Sequence, residues 1–155
     1  MNRPIASRLA RQWESPPTWL LAFGLAVWLQ ARFLPLAPPG PAARMSGWVL
    51  IAAGLVLVTL AVAAFRRERT TILPRETPTR LLSSGVYALS RNPIYLADAL
   101  VLAGWALLHD RAALVLVPLF MIVIERRFIR GEEEGLRAAF GEAFSDYAAR
   151  VRRWL

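Results

Sequence analysis

The chain has 155 residues, 56% of them hydrophobic, and a formal net charge of +8. The length predicts one domain, but the apolar fraction is too high for an ordinary soluble domain. All nineteen basic residues are arginines that flank apolar runs instead of clustering on a polar module, which argues against nucleic-acid binding. The chain contains no cysteine, so disulfides, thiolate metal sites and a cysteine nucleophile are excluded.

Four apolar runs predict membrane helices in two pairs. Residues 19–34 and 45–65 form the first pair, and the second of these runs carries no charge over roughly 30 Å of helix at ~1.5 Å per residue. Residues 94–108 and 112–124 are shorter than the ~20 residues that a span usually needs, and three polar residues separate them. We expect a tight helical hairpin here, with its last helix continuing through residues 125–130, which contain no helix breaker.

The segments around these runs are polar or rich in proline. Residues 1–17 are expected to form a basic interfacial arm, which ends in two prolines before the first span. Residues 34–44 hold four prolines and predict a stiff external loop, whereas residues 66–90 form a polar connection long enough to fold over a ligand. Residues 131–150 carry apolar side chains at spacings of three and four, which predicts one amphipathic helix.

The arginines indicate the orientation in the membrane. Sixteen lie in the N-terminal arm, the central connection and the segment after the fourth run, against three on the other side. The positive-inside rule then places both termini and the central connection in the cytoplasm. The predicted fold is an all-α integral membrane bundle of about four transmembrane helices with a cytoplasmic C-terminal amphipathic helix.

Polar residues are concentrated in the stretch "GVYALSRNPIYLAD", where the third apolar run begins. Asn92 is a favoured N-cap and Pro93 suits the first helical position, so both have a simple structural explanation. That explanation leaves Tyr87, Arg91 and Tyr95 unaccounted for. These three suit either a binding site or a membrane boundary, where tyrosines and arginines are common.

A second polar stretch, "RGEEEGLRAAFGEAFSDY", follows the fourth run. Its three adjacent acids complement the dipole of a helix that starts there, which is a structural explanation. At 100° per residue, however, Glu133 lies on the apolar face with Leu136 and Phe140, Glu132 lies at the edge of that face, and Glu134 points away. A carboxylate on an apolar face needs a partner, which can be an arginine, a bound cation or a hydroxyl group.

Together the two stretches resemble the isoprenylcysteine carboxyl methyltransferase and phospholipid methyltransferase group of integral membrane enzymes. The family pattern is roughly G-x-Y, then R-H-P-x-Y-x-G, then E-E-x-x-L-x-x-x-F-G-x-x-Y-x-x-Y-x-x-x-V-x-R-W, and the resemblance covers about residues 70–155. Asn92 stands where eukaryotic members have histidine, Ala97 replaces the glycine, and Phe144 replaces a tyrosine. Asparagine cannot titrate, which excludes proton transfer at that position, and the loss of the glycine puts close helix packing in doubt.

The resemblance implies S-adenosylmethionine as the cofactor, held on the cytoplasmic side where the two motifs meet. This cofactor needs a cation near its carboxylate, anions near its amine and hydroxyls, and an apolar slot for adenine. The motif residues expected to bind it are Tyr87, Arg91, Asn92, Pro93, Tyr95, Glu132 and Glu133. Arg130, which would orient an anionic substrate or lipid headgroup, and Tyr147 are the candidates for catalytic roles. No metal is expected.

We expect a single domain over residues 1–155, as the length predicts, in a bacterial inner membrane. Residues 1–65 would form the arm and the first helical pair, and residues 66–155 the cofactor-binding, catalytic half. The partners expected are the bilayer and a lipophilic or amphiphilic substrate entering from it. Methyl transfer is an in-line displacement, which needs proximity and desolvation more than an acid or a base.

Several charged residues have two interpretations. Arg130 is equally well explained as an arginine at the membrane boundary whose guanidinium extends to water. Asp98 lies inside the third apolar run, where an acid is functional by default, although it can instead pair with Arg126 or Arg127. The same two alternatives apply to Glu125.

Two other functions stay open at this point. One is an NADPH-dependent membrane reductase of the sterol-reductase type, which shares an Arg-x-Pro-x-Tyr segment; the "EEEGLRAAFG" block argues against it. The other is a non-enzymatic membrane protein that binds lipid or a partner.

Overall fold

The computed structural model describes residues 15–68 and 80–155, and these residues are mostly helical. The first three long helices are α1 (Pro16–Phe33), α2 (Pro41–Arg67) and α3 (Pro93–His109). Each starts at a proline, whose fixed φ and missing N–H group suit the first helical turn. The first three apolar runs are helical, as predicted, and the helices begin three, four and one residues before the predicted starts at 19, 45 and 94. The predicted external loop is correspondingly shorter, because residues 41–44 belong to α2.

The described helices differ in their suitability for a membrane. α2 is long and apolar enough to cross one, and only 11% of its most apolar stretch is buried inside the structure. α3 is apolar but has 17 residues. The predicted basic arm lies mainly outside the described residues, as do residues 69–79 of the predicted polar connection.

After α3 the chain turns back and stays helical for a long stretch. A 3₁₀ turn (Arg111–Val115) leads into α4 (Leu116–Ile124), a π-helical turn (Glu125–Ile129) and α5 (Arg130–Phe140). The helix therefore continues through residues 125–130, as predicted, although its first turn is 3₁₀. Ile129 and Arg130 both have right-handed helical φ and ψ angles, so the three acids of α5 do not lie at a free helix N-terminus. The helix dipole is therefore not the explanation for them.

The prediction of one helix over residues 131–150 is wrong. Gly141 has φ +53° and ψ −121°, a conformation that side-chain-bearing residues rarely adopt, and it ends α5. α6 (Glu142–Arg150) follows as a separate helix. Glu133 and Tyr147 are therefore not on one continuous helical face, although both side chains are buried.

α2 and α3 pack with their backbones in close contact. A Cβ atom at Gly54 would lie 2.8 Å from the carbonyl oxygen of Ala97, and one at Gly104 would lie 2.5 Å from the carbonyl oxygen of Gly47. Only glycine fits at such distances. Ala97 replaces the glycine of the family pattern without loss of close packing, because Gly54 on the facing helix provides the room.

The opposite face of α3 packs against α1 and α4. Its side chains form one core with residues of these two helices, including Tyr95, Ala99, Leu102, Phe120 and Ile124. The indole nitrogen of Trp105 on α3 donates a hydrogen bond of 3.1 Å to the carbonyl oxygen of Gly24 on α1. This core fixes the direction of α3, whose first turn carries the first motif.

A buried carboxylate holds the loops at the far end of α3. Asp110 is fully buried and accepts hydrogen bonds from the backbone N–H groups of Leu36 at 2.7 Å, Ala37 at 3.0 Å and Ala112 at 2.8 Å. Burial opposes ionisation of Asp110, but these bonds and one from the Gln30 side chain hold the pKa of the carboxyl below its ordinary value. Asp110 thus joins the α1–α2 loop to the turn after α3.

Candidate functional site

The first motif begins with a short turn that buries a tyrosine. Gly85, with φ +60°, opens a 3₁₀ turn (Gly85–Ala88). The turn places the Tyr87 ring edge-on to Phe65 of α2, with ring centroids 5.6 Å apart. Burial raises the pKa of the Tyr87 hydroxyl. Tyr87 therefore anchors the motif to the end of α2.

The next residues of this motif are tied to the segment after α6. The backbone N–H of Arg91 donates to the carbonyl oxygen of Arg152 at 3.0 Å. The Ser90 hydroxyl and the Asn92 side-chain amide both donate to the carbonyl oxygen of Arg153, at 3.2 and 3.1 Å. The chain end is thereby held against the start of α3.

The position of Asn92 is as predicted, but its side chain has another use. Asn92 immediately precedes Pro93 and the first turn of α3, yet its side chain makes no capping hydrogen bond. Its amide group instead donates to the Arg153 carbonyl group, which lies 61 residues away in sequence. The capping interpretation of this side chain is therefore wrong.

Two contacts bring the two motifs together. The Tyr95 hydroxyl donates to Glu132 Oε1 at 2.7 Å, and Arg91 Nη1 lies 3.4 Å from Glu133 Oε1. Glu133 is 8% exposed, whereas Glu134 is exposed, as the projection onto one helical face predicted. The arginine partner that was one of the alternatives for Glu133 is thus present.

Arg153 makes most of the contacts to Glu133, and no role was predicted for this arginine. Its Nε and Nη2 atoms donate to the two oxygens of Glu133 at 3.0 and 2.6 Å, and its Nη1 donates to Glu125 Oε1 at 2.8 Å. The hydrogen bonds to Glu133 raise the pKa of the guanidinium. The signal that could have identified Arg153 is the R-W pair that ends the family pattern.

The two candidates for catalytic roles lie in different surroundings. Arg130 is exposed, and its guanidinium donates to Glu125 Oε1 at 3.1 Å. Tyr147 is buried, and its hydroxyl donates to the carbonyl oxygen of Tyr87 at 2.6 Å. Burial raises the pKa of Tyr147 to about 12. This hydroxyl fixes α6 against the first motif.

The two remaining acids, Glu125 and Asp98, differ in their partners. Glu125 pairs with Arg130 and Arg153 instead of Arg126 or Arg127. Asp98 is half-buried on α3, and within the described ranges it makes no ion pair, so the alternative in which it pairs with Arg126 or Arg127 is not formed.

An open depression of about 310 Å³ lies beside the paired charges. Its lining carries both signs of charge and consists of Arg130, Glu133, Glu134, Arg137 and Arg153. Next to it, the Nε atom of Arg91 is buried and has no hydrogen-bond partner among the described residues. An unsatisfied buried donor and a lining with both cations and carboxylates suit a small ligand that is itself zwitterionic.

Comparison with known proteins agrees with the motifs. A protein of Haemophilus influenzae, described as uncharacterized, is 38% identical over 63 residues, which are 40% of this chain and all of that relative. Residues 42–143 match the model of the family described as phospholipid methyltransferase. The match begins earlier than the motif resemblance and includes most of α2. It covers more than half of the chain, so the chain belongs to the phospholipid methyltransferase family, a family of methyltransferases.

Proposed function

We propose that this protein transfers a methyl group from S-adenosylmethionine to a lipophilic or amphiphilic acceptor at the cytoplasmic face of a membrane. The observation that carries the proposal is the junction of the two motifs. Tyr95 meets Glu132 and Arg91 meets Glu133, although 37 or more residues separate the partners in sequence. The family match supports methyl transfer over the reductase and the non-enzymatic alternatives.

The charges at the junction suit the proposed cofactor. S-adenosylmethionine has a carboxylate, an ammonium group and a cationic sulfur, and the depression offers arginines and glutamates side by side. Arg91 contributes a buried donor that has no partner, which suits the carboxylate. Glu132 and Glu133 balance the positive charges at the junction. The first motif is held in place by Tyr87, Asn92, Pro93 and Tyr95. When bound, the cofactor supplies a methyl group on a positively charged sulfur.

The residues of this chain would act by alignment rather than by proton transfer. Methyl transfer is an in-line displacement, so the site has to hold the acceptor at the sulfur and exclude water. Tyr147 donates its hydrogen to a backbone carbonyl group, so we assign it a positioning role. Arg130 is exposed at the rim of the depression, where it would orient an anionic substrate or lipid headgroup.

The membrane part of the proposal rests on the apolar surface. Large apolar side chains stay exposed along three helices, among them Leu21, Leu25 and Trp28 on α1, Val49, Leu55 and Val56 on α2, and Leu119 and Ile122 on α4. Lipid is the natural environment for such a surface. We therefore propose four membrane helices in a bacterial inner membrane, with both termini in the cytoplasm as the arginine distribution favours.

Cofactor titration of the detergent-solubilised protein by calorimetry tests this function. We expect saturable binding of S-adenosylmethionine and no binding of NADPH. Saturable binding of NADPH alone would favour the reductase, and binding of neither would favour the non-enzymatic alternative. Arg91→Ala should weaken S-adenosylmethionine binding about tenfold or more, because it removes a charge-assisted donor. Arg66→Ala is the matched control, since Arg66 is exposed at the end of α2 and its loss changes the charge equally.

A further inference from the structure

Arg153 is bonded to three separate parts of the site at once. Its guanidinium uses all three nitrogens, with two hydrogen bonds to Glu133 on α5 and one to Glu125 in the π-helical turn. Its backbone carbonyl oxygen accepts from Ser90 and Asn92, just before α3. A single residue therefore connects the first motif with two acids of the long helix, Glu125 and Glu133.

The neighbours of Arg153 fix its position from both sides. The carbonyl oxygen of Arg152 accepts from the backbone N–H of Arg91. Trp154, the next residue, packs against the hydrophobic core. The Arg153 guanidinium is thus presented to the site by a segment that is held along its length.

These bonds leave Glu133 with little capacity for a ligand. Both of its oxygens accept from Arg153, a second guanidinium lies 3.4 Å away, and its side chain is 11% exposed. An ammonium group that bound Glu133 directly would have to displace an arginine from a two-point, charge-assisted pair. In contrast, Arg91 still has a buried Nε donor without a partner. The hydrogen-bond donors that remain for an anionic group of a ligand therefore belong to the arginines.

We propose that Arg153 is a positioning residue of the methyl-transfer site. It holds Glu133, and through Glu133 the guanidinium of Arg91, in the arrangement that binds the carboxylate of the cofactor. Glu133 then acts on the cofactor only through the two arginines. This inference rests on the proposed function, because it assigns the partners of the same cofactor site.

The first test compares Arg153→Ala with Arg150→Ala by titration with S-adenosylmethionine in detergent. Arg150 lies three residues earlier, is exposed, and in the described part of the chain bonds only within its own helix. We expect Arg153→Ala to weaken binding about tenfold to a hundredfold, the range for hydrogen bonds to charged groups, and Arg150→Ala to bind as the wild type does. Arg153→Lys keeps the charge but not the two-point geometry, so it should bind more weakly than the wild type and more tightly than Arg153→Ala.

Two readouts separate positioning from general stabilisation. Because Arg153 acts through Glu133, the two changes should not be additive. The double variant Arg153→Ala with Glu133→Gln should bind S-adenosylmethionine no more weakly than the single variant that has the lower affinity. Methylguanidinium added to folded Arg153→Ala should restore part of the lost affinity, which a purely structural role would not allow. If Arg153→Ala does not fold, the same cycle is carried out with Arg153→Lys.

The outcomes distinguish this inference from the proposed function. Wild-type protein that does not bind S-adenosylmethionine contradicts both. If the wild type binds S-adenosylmethionine and Arg153→Ala binds it with equal affinity, the role of Arg153 is contradicted but the proposed function is not. Additive effects of the Arg153 and Glu133 changes on binding lead to the same conclusion.

Discussion

The two ends of α3 each have a buried carboxylate, and the two carboxylates are stabilised by different kinds of partner. Asp110, at the far end, accepts from the backbone N–H groups of Leu36, Ala37 and Ala112. Glu133, at the near end, accepts hydrogen bonds from the side chain of Arg153 and forms an ion pair with Arg91. Backbone donors belong to the fold and cannot leave without unfolding a loop, whereas arginine side chains can move within an intact fold.

This difference indicates which end carries function. Asp110 is fully buried, and its bonds join two loops, which gives it a structural role. Glu133 lies beside an open depression, and one of the arginines around it has an unsatisfied donor. The same chemical group thus stabilises the fold at one end and organises a candidate site at the other. Isosteric changes of the two carboxylates provide a direct test of this distinction.

Asp110→Asn should have the largest effect on stability. The amide places an N–H₂ group against backbone donors and removes the charge that they stabilise, so buried N–H groups lose their acceptor. We expect the melting temperature in detergent to fall on the order of 10 °C, measured by intrinsic fluorescence or differential scanning fluorimetry. The affinity of the folded fraction for S-adenosylmethionine should be unchanged. A loss of affinity without a loss of stability would reverse the assignment of the two ends.

The helices were predictable from sequence because their signals are local. The apolar runs and the prolines at positions 16 and 93 indicate where α1, α2 and α3 lie, although Pro41, which begins α2, was assigned to the loop before it. The continuation of the last helix through residues 125–130 also follows from a local property, the absence of a breaker. The break at Gly141 was missed, since a glycine inside an amphipathic pattern is compatible with a helix and only its positive φ reveals the turn.

The partners of the polar side chains were not predictable, because they lie far away in sequence. Two of the three backbone donors to Asp110 are 73 and 74 residues away, and backbone groups have no side-chain signature. Asn92 has a good local use as a cap, yet it bonds a carbonyl group 61 residues away. Arg153 is one of seven arginines after the fourth apolar run, and composition does not distinguish it from the others. The motif resemblance identified the two stretches, but not the residue that joins them.

Glu133→Gln should have a smaller effect on stability than Asp110→Asn and a larger effect on binding. The amide keeps one acceptor for Arg153 but places its N–H₂ group against the other donors, which frees the guanidinium to move. We expect S-adenosylmethionine to bind about tenfold more weakly, by calorimetry, and the melting temperature to fall by roughly 3 °C. Glu142→Gln, an exposed acid at the start of α6, serves as the control. Unchanged binding would remove Glu133 from the site.

Tyr147→Phe should have the smallest effect of the three changes, and it separates positioning from chemistry. The variant loses one hydrogen bond to the Tyr87 carbonyl group, which costs about 1 kcal/mol. Methyl transfer should fall by less than tenfold, because a true acid or base contributes ~10²–10⁴-fold. A loss of a hundredfold or more would return Tyr147 to a catalytic role.

The difference in stability between the wild type and this variant should also depend on pH in a defined way. Burial raises the pKa of Tyr147 from its ordinary value of 10.0 to about 12, so the folded protein keeps this proton where the unfolded chain loses it. The contribution of the hydroxyl to stability is therefore fully present below pH 10 and declines as the pH rises from 10 to about 12. Phenylalanine does not titrate, so the difference in melting temperature between wild type and Tyr147→Phe should narrow over that interval. A difference that stays constant would mean that the Tyr147 hydroxyl is not held in the buried bond to the first motif.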